Sequence, residues 1–227
     1  MPGQSHFQRQ MQQVKQDLLK MASLVERAVY EATEALARLD TEMADRVITG
    51  DRRIDLMQNE IEERCITLLA TQQPVAVDLR FLSAVIKITG HVERIGDQAV
   101  NLCDRVKSMA KLGGGDLPPV LLLMCKIARE MNKESLDAFA HQNVTLATAV
   151  WRRDDELDEF NHDFLEEMIQ AMSCEERYLR RGVDLILCSR HLERIGDECT
   201  NIAEEVVYLV EGRVIRHAGE EVAVGPL

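Results

Sequence analysis

Aromatic side chains make up only 4% of the 227 residues and proline occurs just 5 times, so the sequence is poor in the residues that favour sheets and turns. Ala, Leu, Glu, Arg and Met are common instead, and an all-α chain with almost no strand is expected. Long apolar runs are also absent. The longest, Val120 to Cys125, has six residues, against the ~20 that span a bilayer. There is no basic excess: a formal charge of −12 repels a phosphate backbone, which excludes DNA and RNA as partners. The six cysteines (Cys65, Cys103, Cys125, Cys174, Cys188, Cys199) form no C-x-x-C pair and read as free thiols of a reducing cytoplasm. Met1-Pro2-Gly3-Gln4-Ser5-His6 has neither a basic nor an apolar region, so no signal peptide is expected and a cytoplasmic location is. No P-loop, dinucleotide fingerprint or Ser/His/Asp arrangement appears, which leaves those catalytic classes without support.

What is present is helical periodicity. Phe7, Met11, Val14, Leu18, Met21, Val25, Ala28, Ala32 and Leu36 recur every three or four residues, the pattern of one long amphipathic helix. Asp40 is placed to cap a second helix that runs to about Thr71 and is broken at Gln72-Gln73-Pro74. A third is carried by Val77 through Met109 and stops at Gly113-Gly114-Gly115. Pro118-Pro119 then starts a fourth, Asn143 caps a fifth, and Ser173-Cys174-Glu175-Glu176 has the capping-box spacing for a sixth ending near Glu211-Gly212. The expected organisation is two tandem three-helix bundles, 7–112 and 118–211, separated by a Gly-rich linker at 113–117 and followed by a tail at 212–227.

The two bundles are copies of one unit. His91-Val92-Glu93-Arg94-Ile95-Gly96-Asp97-Gln98-Ala99-Val100-Asn101 returns as His191-Leu192-Glu193-Arg194-Ile195-Gly196-Asp197-Glu198-Cys199-Thr200-Asn201, identical at seven of eleven positions with an offset of 100. A fainter match, offset by 103, joins Asp51-Arg52-Arg53-Ile54-Asp55 to Asp154-Asp155-Glu156-Leu157-Asp158.

Each half therefore holds two acidic pairs at i, i+4: Asp51 with Asp55 and Glu93 with Asp97, then Asp154 with Asp158 and Glu193 with Asp197. On a helix that spacing stacks both carboxylates on one face about 6 Å apart, where like charges repel unless a cation lies between them. The point halfway between the first half's pairs is Pro74, the expected turn, so an antiparallel hairpin sets both pairs at one height. The second half has its midpoint at 175.5, within the Ser173 to Glu176 segment. Four carboxylates gathered twice make an oxygen-rich site suited to Mg, Mn or Fe and compatible with Zn. Helical-wheel positions put Glu93 and Asp97 toward solvent and Asp51 and Asp55 beside the core, which predicts an open surface site.

A single D-x-x-x-D is ordinarily a solvated helix face. Duplication, hairpin registry and the repeated glycine favour binding here: Gly96 and Gly196 each cost about 1 kcal/mol inside a helix, which close approach of a neighbour would explain. Asn101 and Asn201 extend the acidic stripe by one turn as outer ligands or plain surface polar groups. His91 and His191 read as structural, and Arg94 and Arg194 as salt-bridge partners.

The duplicated E-R-I-G-D-x-x-x-N together with the duplicated D-x-x-[IL]-D resembles the PhoU family, regulators of phosphate uptake and phosphate signalling. The resemblance runs over about residues 7 to 211. It implies two PhoU-like bundles, with one metal centre on Asp51, Asp55, Glu93 and Asp97 and another on Asp154, Asp158, Glu193 and Asp197. Iron, zinc, magnesium and manganese are the metals associated with the family. The resemblance further implies a cytoplasmic, non-catalytic regulator that restrains the ATPase of the phosphate ABC transporter and acts on a sensor histidine kinase, with phosphate reached through the metal. A homodimer is expected. The extra acids Asp155 and Glu156 depart from the pattern and leave the ligand set there open. Two rival readings are a metal-free helical adaptor and a di-iron carboxylate enzyme. The latter needs Glu-x-x-His on two helices, whereas only Glu159-Phe160-Asn161-His162 fits.

Overall fold

Apolar residues at three- and four-residue spacing close six long helices: α1 (His6–Arg38), α2 (Thr41–Gln72), α3 (Ala76–Lys111), α4 (Pro119–His141), α5 (Val144–Cys174) and α6 (Leu179–Glu211). They come from a computed structural model that describes residues 6–113, 115–174 and 179–215, with only the backbone of Cys174. No strand occurs among the described residues, and no helix there is long and apolar enough to cross a membrane.

The ends follow from local chemistry. The Asp40 carboxylate accepts from the Met43 amide at 2.9 Å, and Asn143 does the same for Leu146 at 3.1 Å. Pro119 opens α4, where its missing N–H costs nothing. Gly212, at φ +73, ends α6 with its amide bonded to the Tyr208 carbonyl at 2.9 Å.

The expected capping box at Ser173 is not what forms. Ser173 lies in the last turn of α5 and its hydroxyl donates back to the Ile169 carbonyl at 2.8 Å. An N-cap residue stands outside the helix with non-helical backbone, whereas Ser173 is itself helical and continues α5. The rest of that motif, Glu175 and Glu176, lies outside the described residues, as does the tail from Arg216.

Within each half the three helices pack on one another, and the halves meet mainly through α3 against α6, with α1 against α4 beside it. Side chains across α3 and α6 fix the direction. Lys87 pairs with Glu205 at 2.9 Å, His91 with Glu198 at 2.6 Å, Gln98 with His191 at 2.9 Å, and Ser108 donates to Asp184 at 2.7 Å. Partner numbers fall as α3 numbers rise, so the helices are antiparallel. His91 to Glu198 and His191 to Gln98 are the same contact seen from the two repeats.

Fully buried Leu18, Leu36, Leu68, Ile88, Ile95, Leu102, Phe139 and Phe164 belong to one core that draws on both halves. Each such side chain contributes about 1.5–3 kcal/mol. The five cysteines with described side chains, Cys65, Cys103, Cys125, Cys188 and Cys199, are free and buried. Burial pushes the Cys65, Cys103 and Cys125 thiols up to about 12, so they stay protonated and unreactive.

Candidate metal centres on two acidic hairpins

The side chain that could have filled the α2–α3 contact is missing by design of the sequence. A Cβ on Gly96 would lie 3.4 Å from both Asp51 Oδ1 and Ile54 Cδ1. Gly96 thus faces α2 at the level of the acids, with room for a methyl group in ordinary contact. Gly196 does this more tightly: a Cβ there would meet Leu157 Cδ2 at 2.8 Å, Asp154 Oδ1 at 2.9 Å and, from α4, Met131 Cε at 3.3 Å. The close approach expected of both glycines is present at Gly196, whereas at Gly96 an added Cβ would meet ordinary van der Waals contacts.

The hairpin register brings the first four acids together on one patch. Burial, then the charges of Asp55 and Asp97, push Asp51 up to about 6. Glu93 is raised by burial and by Asp97, Asp55 and Asp51, and Asp97 by burial and Asp55. In the second half burial, Asp158 and Asp197 push Asp154 up to about 7. Glu193, Asp197 and Asp158 are all raised, chiefly by burial and by one another's neighbours in that patch. Carboxyls raised by both desolvation and mutual repulsion are short of positive charge.

The two motif copies share one burial pattern, position by position from 91 to 101 and from 191 to 201. Asp97 and Asp197 are exposed, while Glu93 and Glu193 are half-buried, as are Asp51, Asp55 and Asp154. Both patches therefore open to solvent. As placed, no three His, Cys, Asp or Glu side chains among the described residues are drawn in closely enough to hold a metal ion. Two oxygens nonetheless stand buried without a hydrogen-bond partner in the second patch, Asp154 Oδ1 and Glu193 Oε2, and the Thr200 hydroxyl beside Asp154 offsets only part of that carboxyl's rise. An all-oxygen donor set with stranded acceptors and raised carboxyls fits a hard divalent cation.

Other residues of the motif sort out clearly. His91 and His191 are structural, tied across the α3–α6 interface. His191, half-buried and close to Arg194 and Arg105, is lowered by that burial and those charges to about 4 and stays neutral. Arg94 reaches Glu198 at 3.5 Å, but Arg194 forms no ion pair among the described residues, contrary to the expectation. Its would-be partner across the interface is the uncharged Gln98 rather than a second glutamate. Asn101 and Asn201 are half-buried one turn beyond the acids and make no side-chain hydrogen bond among the described residues. Glu159 and His162 sit on an exposed face, His162 reaching Glu166 at 3.6 Å, so the di-iron spacing does not point into the bundle.

Arg190, 3.3 Å from Glu193 Oε1, escaped the sequence reading although R-x-x-E spacing announces it. It lowers Asp158, Glu193 and Asp197, and its counterpart in the first half is Gly90. The Gln98 and Glu198 roles had no local signal, since their partners are about a hundred residues away.

Six helices in two copies, each copy presenting a glycine-notched acidic hairpin, define a tandem-repeat helical protein with paired carboxylate patches. The PhoU domain model matches residues 18–106 and again 121–206, and the chain belongs to the PhoU family. It is 36% identical over 214 residues to the phosphate-specific transport system accessory protein PhoU homolog of Aquifex aeolicus, covering 92% of this chain and 95% of that protein. Against the phosphate-specific transport system accessory protein PhoU of Escherichia coli (strain K12) it is 30% identical over 216 residues, 94% and 88% of the two chains. The crystal structure of PhoU from Pseudomonas aeruginosa superposes with a TM-score of 0.89 at 35% identity, covering 92% of this chain and all of that one.

Proposed function

We propose that this chain is a non-catalytic, cytoplasmic regulator of phosphate transport and phosphate-responsive signalling that works as a metal-loaded docking scaffold. Its relatives' names as accessory proteins of a phosphate-specific transport system support the transport role. The observation that carries the metal reading is the stranded pair Asp154 Oδ1 and Glu193 Oε2, with Asp154 held up to about 7 and Asp158, Glu193 and Asp197 raised beside it, a local deficit of positive charge.

Asp51, Asp55, Glu93 and Asp97 would hold one ion or cluster, and Asp154, Asp158, Glu193 and Asp197 the other, with iron, zinc, magnesium or manganese as candidates. The bound metal supplies positive charge and open coordination positions for inorganic phosphate or an anionic partner surface. The half-buried acids hold it against the helices, while the exposed Asp97 and Asp197 leave it reachable. The transporter's ATPase and a sensor histidine kinase are the partners of this scaffold, and a homodimer is its assembly.

Metal analysis of untagged protein tests the centre, with Glu93→Ala plus Asp97→Ala expected to remove about half of the metal. Unchanged metal content favours the metal-free adaptor. Co-precipitation with the ATPase and the kinase, with and without chelator, tests the docking; binding indifferent to metal and to the alanine changes rejects it.

A further inference from the structure

Where α1 meets α4 a cavity of about 260 Å³ opens on the seam between the bundles, and none of the eight acids of the two patches lines it. That is just under the roughly 300–1,000 Å³ of drug-sized ligands, which limits an occupant to a small molecule. An offset of 103 carries the buried face of α1 onto that of α4: Val25 onto Ala128, Val29 onto Asn132, Ala32 onto Ser135 and Leu36 onto Phe139, all buried. The cavity walls follow the same offset. Glu26, Val29 and Tyr30 of α1 line it together with their own counterparts Arg129, Asn132 and Lys133 of α4, and Glu130 completes the set.

The exchange at the middle position is the informative one. Val29 and Asn132 are each 1% exposed, so a carboxamide stands where the other repeat keeps a valine. The Asn132 side chain makes no hydrogen bond among the described residues, and its Oδ1 is buried without a partner. A buried amide bears the full penalty of losing its water unless something in the cavity bonds to it. Two acids and two bases surround it, with no net charge, which disfavours a plain anion or cation as the occupant. Arg129 is held by Glu34 at 2.9 Å and lies over the Tyr30 ring at 5.5 Å, and Glu130 is held by Arg153 and Lys126. Glu26 of α1 and Lys133 of α4 are exposed and make no ion pair or hydrogen bond among the described residues. One free carboxylate, one free ammonium and an unpaired amide match a molecule that carries both charges itself.

We propose that this cavity binds a free α-amino acid, its ammonium shared by Glu26 and Asn132 Oδ1 and its carboxylate at Lys133. The reading is independent of any metal. Calorimetric titration of chelator-treated full-length protein with each of the twenty amino acids tests it, with acetate, methylammonium and inorganic phosphate as probes carrying charge of one sign. At least one amino acid should bind with a Kd below ~1 mM, and the one-sign probes at least tenfold more weakly. Asn132→Val, which copies the other repeat, should weaken that binding at least tenfold while Tm stays equal or rises, since an unpaired buried amide is removed. The surface change Lys133→Ala should weaken it by a similar factor and decides the matter should Asn132→Val not fold. Failure of every amino acid to bind overturns the proposal. So does binding that survives Lys133→Ala or a folded Asn132→Val, or that a one-sign probe matches.

Discussion

In the first half Arg52 and Arg53 stand between Asp51 and Asp55, whereas Asp155 and Glu156 stand at the equivalent places between Asp154 and Asp158. The five-residue motif thus changes from no net charge (two acids, two arginines) to −4 (four acids) while the backbone around it keeps one design. The second patch is also tighter, with Leu157, Asp154 and Met131 crowding Gly196 where the first patch has ordinary contacts at Gly96. Arg190 restores one positive charge where the first half has Gly90. Duplication preserved the register that gathers the acids, and divergence acted on the charges around them, the cheaper thing to alter because those positions are exposed.

Loss of metal should separate the halves most. Asp154→Asn with Asp158→Asn is expected to empty the second patch and leave the first, and Asp51→Asn with Asp55→Asn the reverse. Each change should remove about half of the metal measured by elemental analysis; loss of all metal from either one means a single shared centre.

Next in size is affinity. The second patch should bind a divalent cation about tenfold more tightly than the first at low salt, as its extra charge requires. Arg52→Asp with Arg53→Glu should close that gap, read by calorimetric titration of proteins with the other patch disabled. A gap untouched by the swap assigns the difference to packing instead.

The pH response of chelator-treated protein is smaller. Asp51 and Asp154 are raised in the fold to about 6 and about 7 from an ordinary value of 3.8. The folded state therefore takes up protons more readily than the unfolded one, and these groups stabilise it fully below pH ~4. That contribution declines as pH rises and is gone above about 6 for Asp51 and about 7 for Asp154. The Tm of metal-free protein should fall between about pH 4 and pH 7, and Asp154→Asn should flatten the fall more than Asp51→Asn does.

The glycines give the smallest difference. Gly96→Ala gains helix propensity of about 1 kcal/mol and meets only ordinary contacts, so it should be neutral or mildly stabilising. Gly196→Ala must displace Leu157 and Asp154 and should be less stable than Gly96→Ala by about 1 kcal/mol in urea unfolding.

Much of this was legible in one dimension. Asp40 and Asn143 announced their helices because capping is a local transaction between a side chain and an amide three residues on. The shared height of the acids could be computed about Pro74 because a hairpin converts sequence distance into spatial register. Ser173 misled because a hydroxyl serves equally well to start a helix or to bond back within one. The pairing of α3 with α6 was invisible for another reason. His91 meeting Glu198 depends on how one bundle lies on the other, and nothing near either residue encodes that.

That crossing has a history written in its geometry. Position 91 reaches position 198 and position 191 reaches position 98, which is the signature of an isologous interface, in which one patch meets its own likeness across a twofold axis. The two bundles are arranged as the subunits of a symmetric dimer would be, joined by the connection through Gly113 and Gly115. Once fused, such a pair is free to let its halves specialise, since a change on one side is no longer forced on the other.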